Sequence, residues 1–206
     1  MKFKRVLLCA LLISLPLLSI TNNNSKNIID ENRVEMCYET DTISIDNIIL
    51  NKIISPKDSI KNELIEEVEN YVFMKSYKTH KDVPSLIVDN GLNHNIDIAF
   101  MLAQTQLETN FGTLGAGRQS SRHSLFGVAI KKYGNYDEAI DDYCKMLKEK
   151  YLTKGRNEQH LLQKYTTTKG GRYATNPNYE KELRNVYYSI DRITKIKELQ
   201  SKYNSM

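Results

Sequence analysis

Apolar side chains recur every three to four residues along most of this chain from Pro56 onward, and that period belongs to helices. Ile60, Leu64, Val68 and Tyr71 or Val72 follow Ser55, a cap residue, and Pro56, which fits a first helical turn, so a helix is predicted there. A shorter one is predicted over Pro84 to Asn90, stopping at Gly91. Ile96, Phe100, Ala103 and Leu107 then draw one apolar stripe down a helix of about 14 residues whose start Asn95 can cap. Asn135 and Glu138 stand at capping-box spacing ahead of a helix to about Tyr151, with Ile140, Tyr143, Cys144 and Leu147 inward. Leu161, Leu162 and Tyr165 mark a short helix. Asn176 and Pro177 open a long terminal one through about Leu199, with Leu183, Val186, Tyr187 and Ile190 inward. The pattern predicts a mainly α fold in a single domain over residues 56–200, without internal repeats.

The chain before Pro56 has another character. Lys2, Lys4 and Arg5 precede an apolar run from Val6 to Ile20 broken only by Ser14, Pro16 and Ser19, which is the pattern of an export signal over residues 1–21. The run is short for a membrane span of about 20 residues, so cleavage near Ser19 to Thr21 is the first expectation and an uncleaved anchor the second. Cys9 lies inside the run rather than at its end, which argues against a lipoprotein site. Residues 22–55 form a polar, asparagine-rich leader and an arm, IDNIILNKIIS, whose β-branched content suits a strand, a short helix or an extended segment equally. The expected location is outside the cytoplasm: periplasm, cell envelope or secreted, with no stable membrane span after cleavage.

Composition narrows the function classes. Of the 206 residues 40% are hydrophobic and 26% charged, which is globular. The formal charge of +4 falls to +1 once the three basic residues of the signal are removed, so no nucleic-acid footprint is expected. Cys37 and Cys144 could pair in an oxidising compartment, but Cys144 falls on a helix, where a buried thiol fits as well. The four histidines stand in no metal-ligand spacing, and neither a metal nor a cofactor is expected. Gly112, Gly115 and Gly117 have the wrong order and context for a dinucleotide loop, and TTTKGGR at 166–172 is not a phosphate-binding loop.

The chemistry concentrates in AQTQLETNFG, residues 103–112, where one carboxylate, Glu108, stands at the end of an apolar helix. The unpaired carbonyls there oppose its ionisation, as a proton donor to a glycosidic oxygen requires. Met101, Gln104 and Glu108 share a stripe at the border of the buried face, and the loop Gly112 to Ser124 carries no carboxylate. Two further islands follow, HSLFG at 123–127 and RYATNPNY at 172–179.

In this order the three islands resemble the glucosaminidase family of glycoside hydrolases (family 73, peptidoglycan endo-β-N-acetylglucosaminidases), over about residues 92–192. The resemblance implies a lysozyme-like fold and cleavage of the bond after N-acetylglucosamine in the glycan strand. It matches Glu108 to the catalytic acid, Tyr173 to the tyrosine beside the reacting sugar, and Phe126 and Gly127 to the groove floor. Gln104, Phe111, Asn176 and Tyr179 complete the expected substrate-binding set. With no tryptophan, sugar stacking falls to rings such as Phe111, Phe126 and Tyr179, which fit ordinary core packing equally well. Ser124 and Asn176 depart from the family pattern, which has asparagine and often aspartate there. Only about ten residues separate Gly127 from the next helix, which implies a reduced β-lobe with little room for a second carboxylate. Asp137, Glu138, Asp141 and Asp142 look like solvated charges on a capped helix. A one-carboxylate mechanism is therefore expected, the substrate's acetamido group or a water supplying the second function. A lytic transglycosylase, or an inactive glycan-binding or structural component of an envelope or phage particle, are the alternatives.

Overall fold

A computed structural model of the protein describes residues 55–118, 122–127 and 131–206. The expected export signal, the leader with Cys37 and nearly all of the expected arm lie outside the described residues. Among those described, seven α-helices and one short 3₁₀ turn carry the fold, which is mainly α. No strand is present there; Thr166 and Arg172 form a single antiparallel bridge.

Helix α1 (Pro56–Lys75) begins as its sequence requires, with the Ser55 hydroxyl accepting from the Asp58 amide at 3.0 Å and proline in the first turn. It buries Ile60, Leu64, Val68, Tyr71 and Val72. Helix α2 (Val83–Asn93) runs through Gly91 instead of stopping there. A Cβ at Gly91 would lie 2.6 Å from Ile98 Cγ1, so this glycine permits close packing of α2 on the next helix.

Helix α3 (Ile98–Thr109) is the axis of the molecule. Residues from Ile98 to Thr105 are all buried, so the helix has no solvent face over most of its length. Its cap is Asp97, which accepts from the Phe100 amide at 3.2 Å; Asn95 instead takes a left-handed turn (φ 50°). At the far end Asn110 (φ 46°) and Phe111 (φ 57°) are both left-handed, reversing the chain within two residues.

Helix α4 (Tyr136–Lys150) starts at the Asn135 cap and turns Ile140, Tyr143, Cys144 and Leu147 into the core. Cys144 is a free, buried thiol whose pKa burial pushes up to about 12, which leaves it inert at neutral pH. Helix α5 (Glu158–Gln163) is short and capped by Asn157. The predicted terminal helix is two: α6 (Tyr179–Ile193) and α7 (Ile196–Asn204), separated where Thr194 turns extended. The break lets Gln200 reach back to the start of α3, donating to the Ile96 carbonyl at 2.7 Å and accepting from the Ile98 amide at 3.0 Å. Helix α3 is thus enclosed by α2, α6 and α7, while α1 packs on α2 and α7.

Candidate active site

Glu108 occupies the last turn of α3, half-buried at the border of the core. Tyr179, the first residue of α6, donates its phenol proton to Glu108 Oε1 at 2.7 Å. The opposite oxygen faces Gly127, where an ideal Cβ would stand only 2.3 Å from Oε2. Gly127 also has φ +70°, so its position excludes other residues twice over.

The LFG segment is fastened to the helix end by Thr109, whose hydroxyl donates to the Leu125 carbonyl at 2.7 Å and accepts from the Gly112 amide at 2.9 Å. Tyr173 closes the other side, its phenol donating to the Phe126 carbonyl at 3.0 Å. The three islands therefore meet at one carboxylate: QLETNFG supplies it, HSLFG walls one oxygen, and RYATNPNY brings both tyrosines.

Beneath the carboxylate lies an aromatic stack. Phe126 is stacked on Tyr143 with centroids 3.5 Å apart, and Tyr165 on Tyr173 at 4.3 Å. Tyr143 and Tyr165 both donate to Gln104 Oε1, one helical turn before Glu108, the second at 2.9 Å. Gln104 Nε2 is buried without a partner.

Burial sets where the side chains of the expected substrate-binding set lie. Gln104, Phe111 and Phe126 are at most 2% exposed, so their side chains support the site from below and have no free face for a sugar. Tyr179 is 7% exposed and directs its hydroxyl at Glu108, not its ring at solvent. Asn176 lies on the surface, where its side chain accepts from the Asn178 amide at 2.9 Å and shapes the turn that presents Tyr179. Ser124 is buried, and His123 bonds the Tyr133 carbonyl through Nδ1 at 2.9 Å.

The electrostatics isolate Glu108. Its pKa is raised, first by burial, with the Tyr179 hydrogen bond pulling the other way. Desolvation, not the carbonyl field at the helix end, is thus the dominant cause. Both phenols are held well above their usual range, by burial first, so they stay protonated and act as donors.

The acids of α4 are otherwise engaged: Asp137 accepts from Asn90 at 2.8 Å and Glu138 from the Gly134 amide at 2.8 Å. Asp141 and Asp142 are held below the usual range by Lys145 and Lys131 respectively, and both also take further hydrogen bonds. Among the described residues the other carboxylates with raised pKa are Asp97 and Glu158. Asp97 precedes α3 and Glu108 ends it, a separation of about 16 Å along the axis. Paired glycosidase carboxylates stand within about 10 Å of each other.

What this arrangement defines is a half-buried carboxylate of raised pKa at a helix end on a helical scaffold, and comparison with known families gives the class of the domain. The family model described as Glucosaminidase, mannosyl-glycoprotein endo-β-N-acetylglucosaminidase, matches residues 85–192, more than half of the chain. The chain belongs to this glycoside hydrolase family. The match takes in Glu108, the HSLFG and RYATNPNY segments, and helices α3 to α6 almost entirely. Comparison with curated proteins finds no match.

The sequence pattern missed the pairing of Tyr179 with Glu108, because 71 residues separate them. It also missed Thr109 as the latch of the LFG segment and Tyr143 and Tyr165 as the floor. The only available signal was the density of tyrosine, 13 in 206 residues without a tryptophan.

Proposed function

We propose that the protein is an exported peptidoglycan hydrolase that cleaves the β-1,4 bond after N-acetylglucosamine, with Glu108 as its general acid. One observation carries this reading: a half-buried glutamate of raised pKa, held by Tyr179 on one oxygen and set against side-chain-free Gly127 on the other. With Oε1 occupied by a donor, the acidic proton belongs on Oε2. Transfer of that proton to the glycosidic oxygen lets the C1–O bond break while positive charge builds at the anomeric carbon.

Among the described residues the other carboxylates of raised pKa lie at the opposite end of α3 and Glu180, next to Tyr179, is paired with Arg172, which supports a second step without a second carboxylate. The carbonyl oxygen of the substrate's own 2-acetamido group closes on C1, and a water then opens that ring, its hydroxyl going to C1 and its proton to the enzyme. Tyr173, whose phenol donates to the Phe126 carbonyl beside Gly127, is assigned the positioning of the acetamido group, a role supported by its place in the ordered islands. The peptidoglycan substrate, an export signal at residues 1–21, a leader to residue 55 and a hydrolase domain over 56–200 are parts of the same proposal, supported by the ordered islands and the apolar leader.

The test is digestion of purified peptidoglycan by the wild type and Glu108→Gln, with mass spectrometry of the new chain ends. Reducing N-acetylglucosamine ends from the wild type alone are expected. Anhydro ends would replace hydrolysis by transglycosylation, and clearing by the variant would remove Glu108 from its role. A mannosyl glycoprotein serves as the comparison substrate; release of its glycan with intact peptidoglycan would reassign the substrate.

A further inference from the structure

The end of α3 that carries Glu108 also forms one wall of a second recess. A cleft of about 370 Å³ is lined by Lys75, Ser76, Tyr77 and Lys78 on one side and Asn110, Thr113, Leu114 and Arg118 on the other. Three cations and no carboxylate line it. None of the three has an acidic partner among the described residues; Lys75 and Lys78 lie over the Tyr71 and Tyr77 rings, at 5.6 and 5.5 Å from the centroids.

The apolar part of the cleft is unusual for a surface. Tyr77 is 79% exposed and Leu114 55%. The base is polar and ordered: the Ser76 and Thr113 hydroxyls are 3.0 Å apart, and Asn110 Nδ2 donates to Thr113 Oγ1 at 3.2 Å. Cations at the rim, exposed apolar side chains and hydroxyl and amide groups below suit a short acidic peptide. Its carboxylates would meet the lysines and arginine, and its methyl groups Tyr77 and Leu114. A phosphodiester polymer would use the cations alone and leave the apolar side chains unexplained.

We propose that this cleft takes the carboxylate-bearing peptide carried by the glycan strand, so that the enzyme favours peptide-bearing over bare glycan; the inference rests on the peptidoglycan reading of the Glu108 site. The two sites adjoin along the chain. Asn110 is two residues beyond Glu108, at most about 7 Å away along the chain, and an extended peptide of four residues spans about 13 Å.

The experiment compares soluble glycan strands carrying their peptides with strands stripped by an amidase. The enzymes are the wild type and the triple variant Lys75→Gln, Lys78→Gln, Arg118→Gln. The wild type is expected to show about three- to tenfold higher kcat/KM on the peptide-bearing strands at low salt, shrinking as salt rises. The variant should lose that preference and cleave stripped strands at the wild-type rate. A preference retained by the variant would overturn the proposal. So would equal slowing on both strands, which assigns the cleft to the glycan itself. Inhibition of the wild type but not the variant by poly(glycerol phosphate), with no peptide preference, would assign it to a phosphodiester polymer. If the wild type cleaves neither strand, the Glu108 reading fails separately. Calorimetric titration with the free acidic peptide then decides, since binding lost in the variant supports the cleft and equal or absent binding ends it.

Discussion

Glu108 is held partly out of water, so its ionisation works against the fold. A carboxyl whose folded pKa is raised contributes stability that is fully present below its ordinary value of 4.5 and lost as pH rises through the folded value. At neutral pH the Glu108→Gln variant is therefore expected to melt about 1–3 °C higher than the wild type, with the difference closing in acid, while peptidoglycan cleavage falls by about 10²–10⁴-fold. Thermal melts at neutral and acid pH beside a release assay check both halves. Tyr179→Phe tests the other oxygen. The phenol stabilises the carboxylate, so its loss raises the Glu108 pKa further. The basic limb of the pH–rate profile should move to higher pH, with kcat reduced several-fold; a limb that moves to lower pH would contradict the hydrogen bond. Gly127→Ala should be the harshest of the three. Its methyl group would overlap Oε2, and its positive φ costs an alanine about 1–2 kcal/mol. Activity should vanish with only a modest loss in urea stability.

At the scale of elements, what the sequence made legible and what it hid have separate physical causes. Helices α1 and α4 were fixed by apolar spacing plus a side-chain cap, and both begin where Ser55 and Asn135 predicted. Helix α3 was found, but its stripe of Ile96, Phe100, Ala103 and Leu107 described only part of the truth. A helix enclosed on all sides has no polar face to set a boundary, so its start moved from Asn95 to Asp97. The terminal helix was read as continuous because the break at Thr194 carries neither glycine nor proline. Glu108 itself was legible from local sequence. The family resemblance brings Tyr179 and Gly127 into the same site, but not their contacts with Glu108, which arise only through tertiary packing. Gly91 shows how the same residue misleads at this scale: read as a stop, it is a contact. Ala in place of a mid-helix glycine ordinarily gains about 0.5–1 kcal/mol. Here the added methyl would meet Ile98 at 2.6 Å, so Gly91→Ala is expected to destabilise by about 1–3 kcal/mol in urea unfolding.

Across the whole molecule, the buried acids bracket α3. Asp97 caps its start, accepting from the Tyr187 phenol at 2.6 Å, and Glu158 accepts from the Asp97 amide at 3.2 Å; Glu108 closes the other end. Burial raises the pKa of all three from ordinary values of 3.8 for Asp97 and 4.5 for the glutamates. Their contribution to stability is complete below those values and lost as pH climbs through the folded ones. Asp141 and Asp142 act with the opposite sign, their contribution present above 3.8 and lost as pH falls below it. Both are exposed enough for solvent to weaken them, so the buried trio sets the slope on the neutral side. The melting temperature is therefore expected to fall as pH rises above the ordinary carboxylate values of 3.8 and 4.5. Asp97→Asn is the discriminating variant, because asparagine keeps an acceptor for the Phe100 amide and removes the titration. It should flatten that fall while leaving the acid side unchanged. A wild-type melting temperature that is level or rising over the same range would show that these carboxylates ionise without strain. The same result would weaken the proposed role of Glu108 as general acid, since that role draws on the same desolvation that strains the fold when the carboxyl ionises.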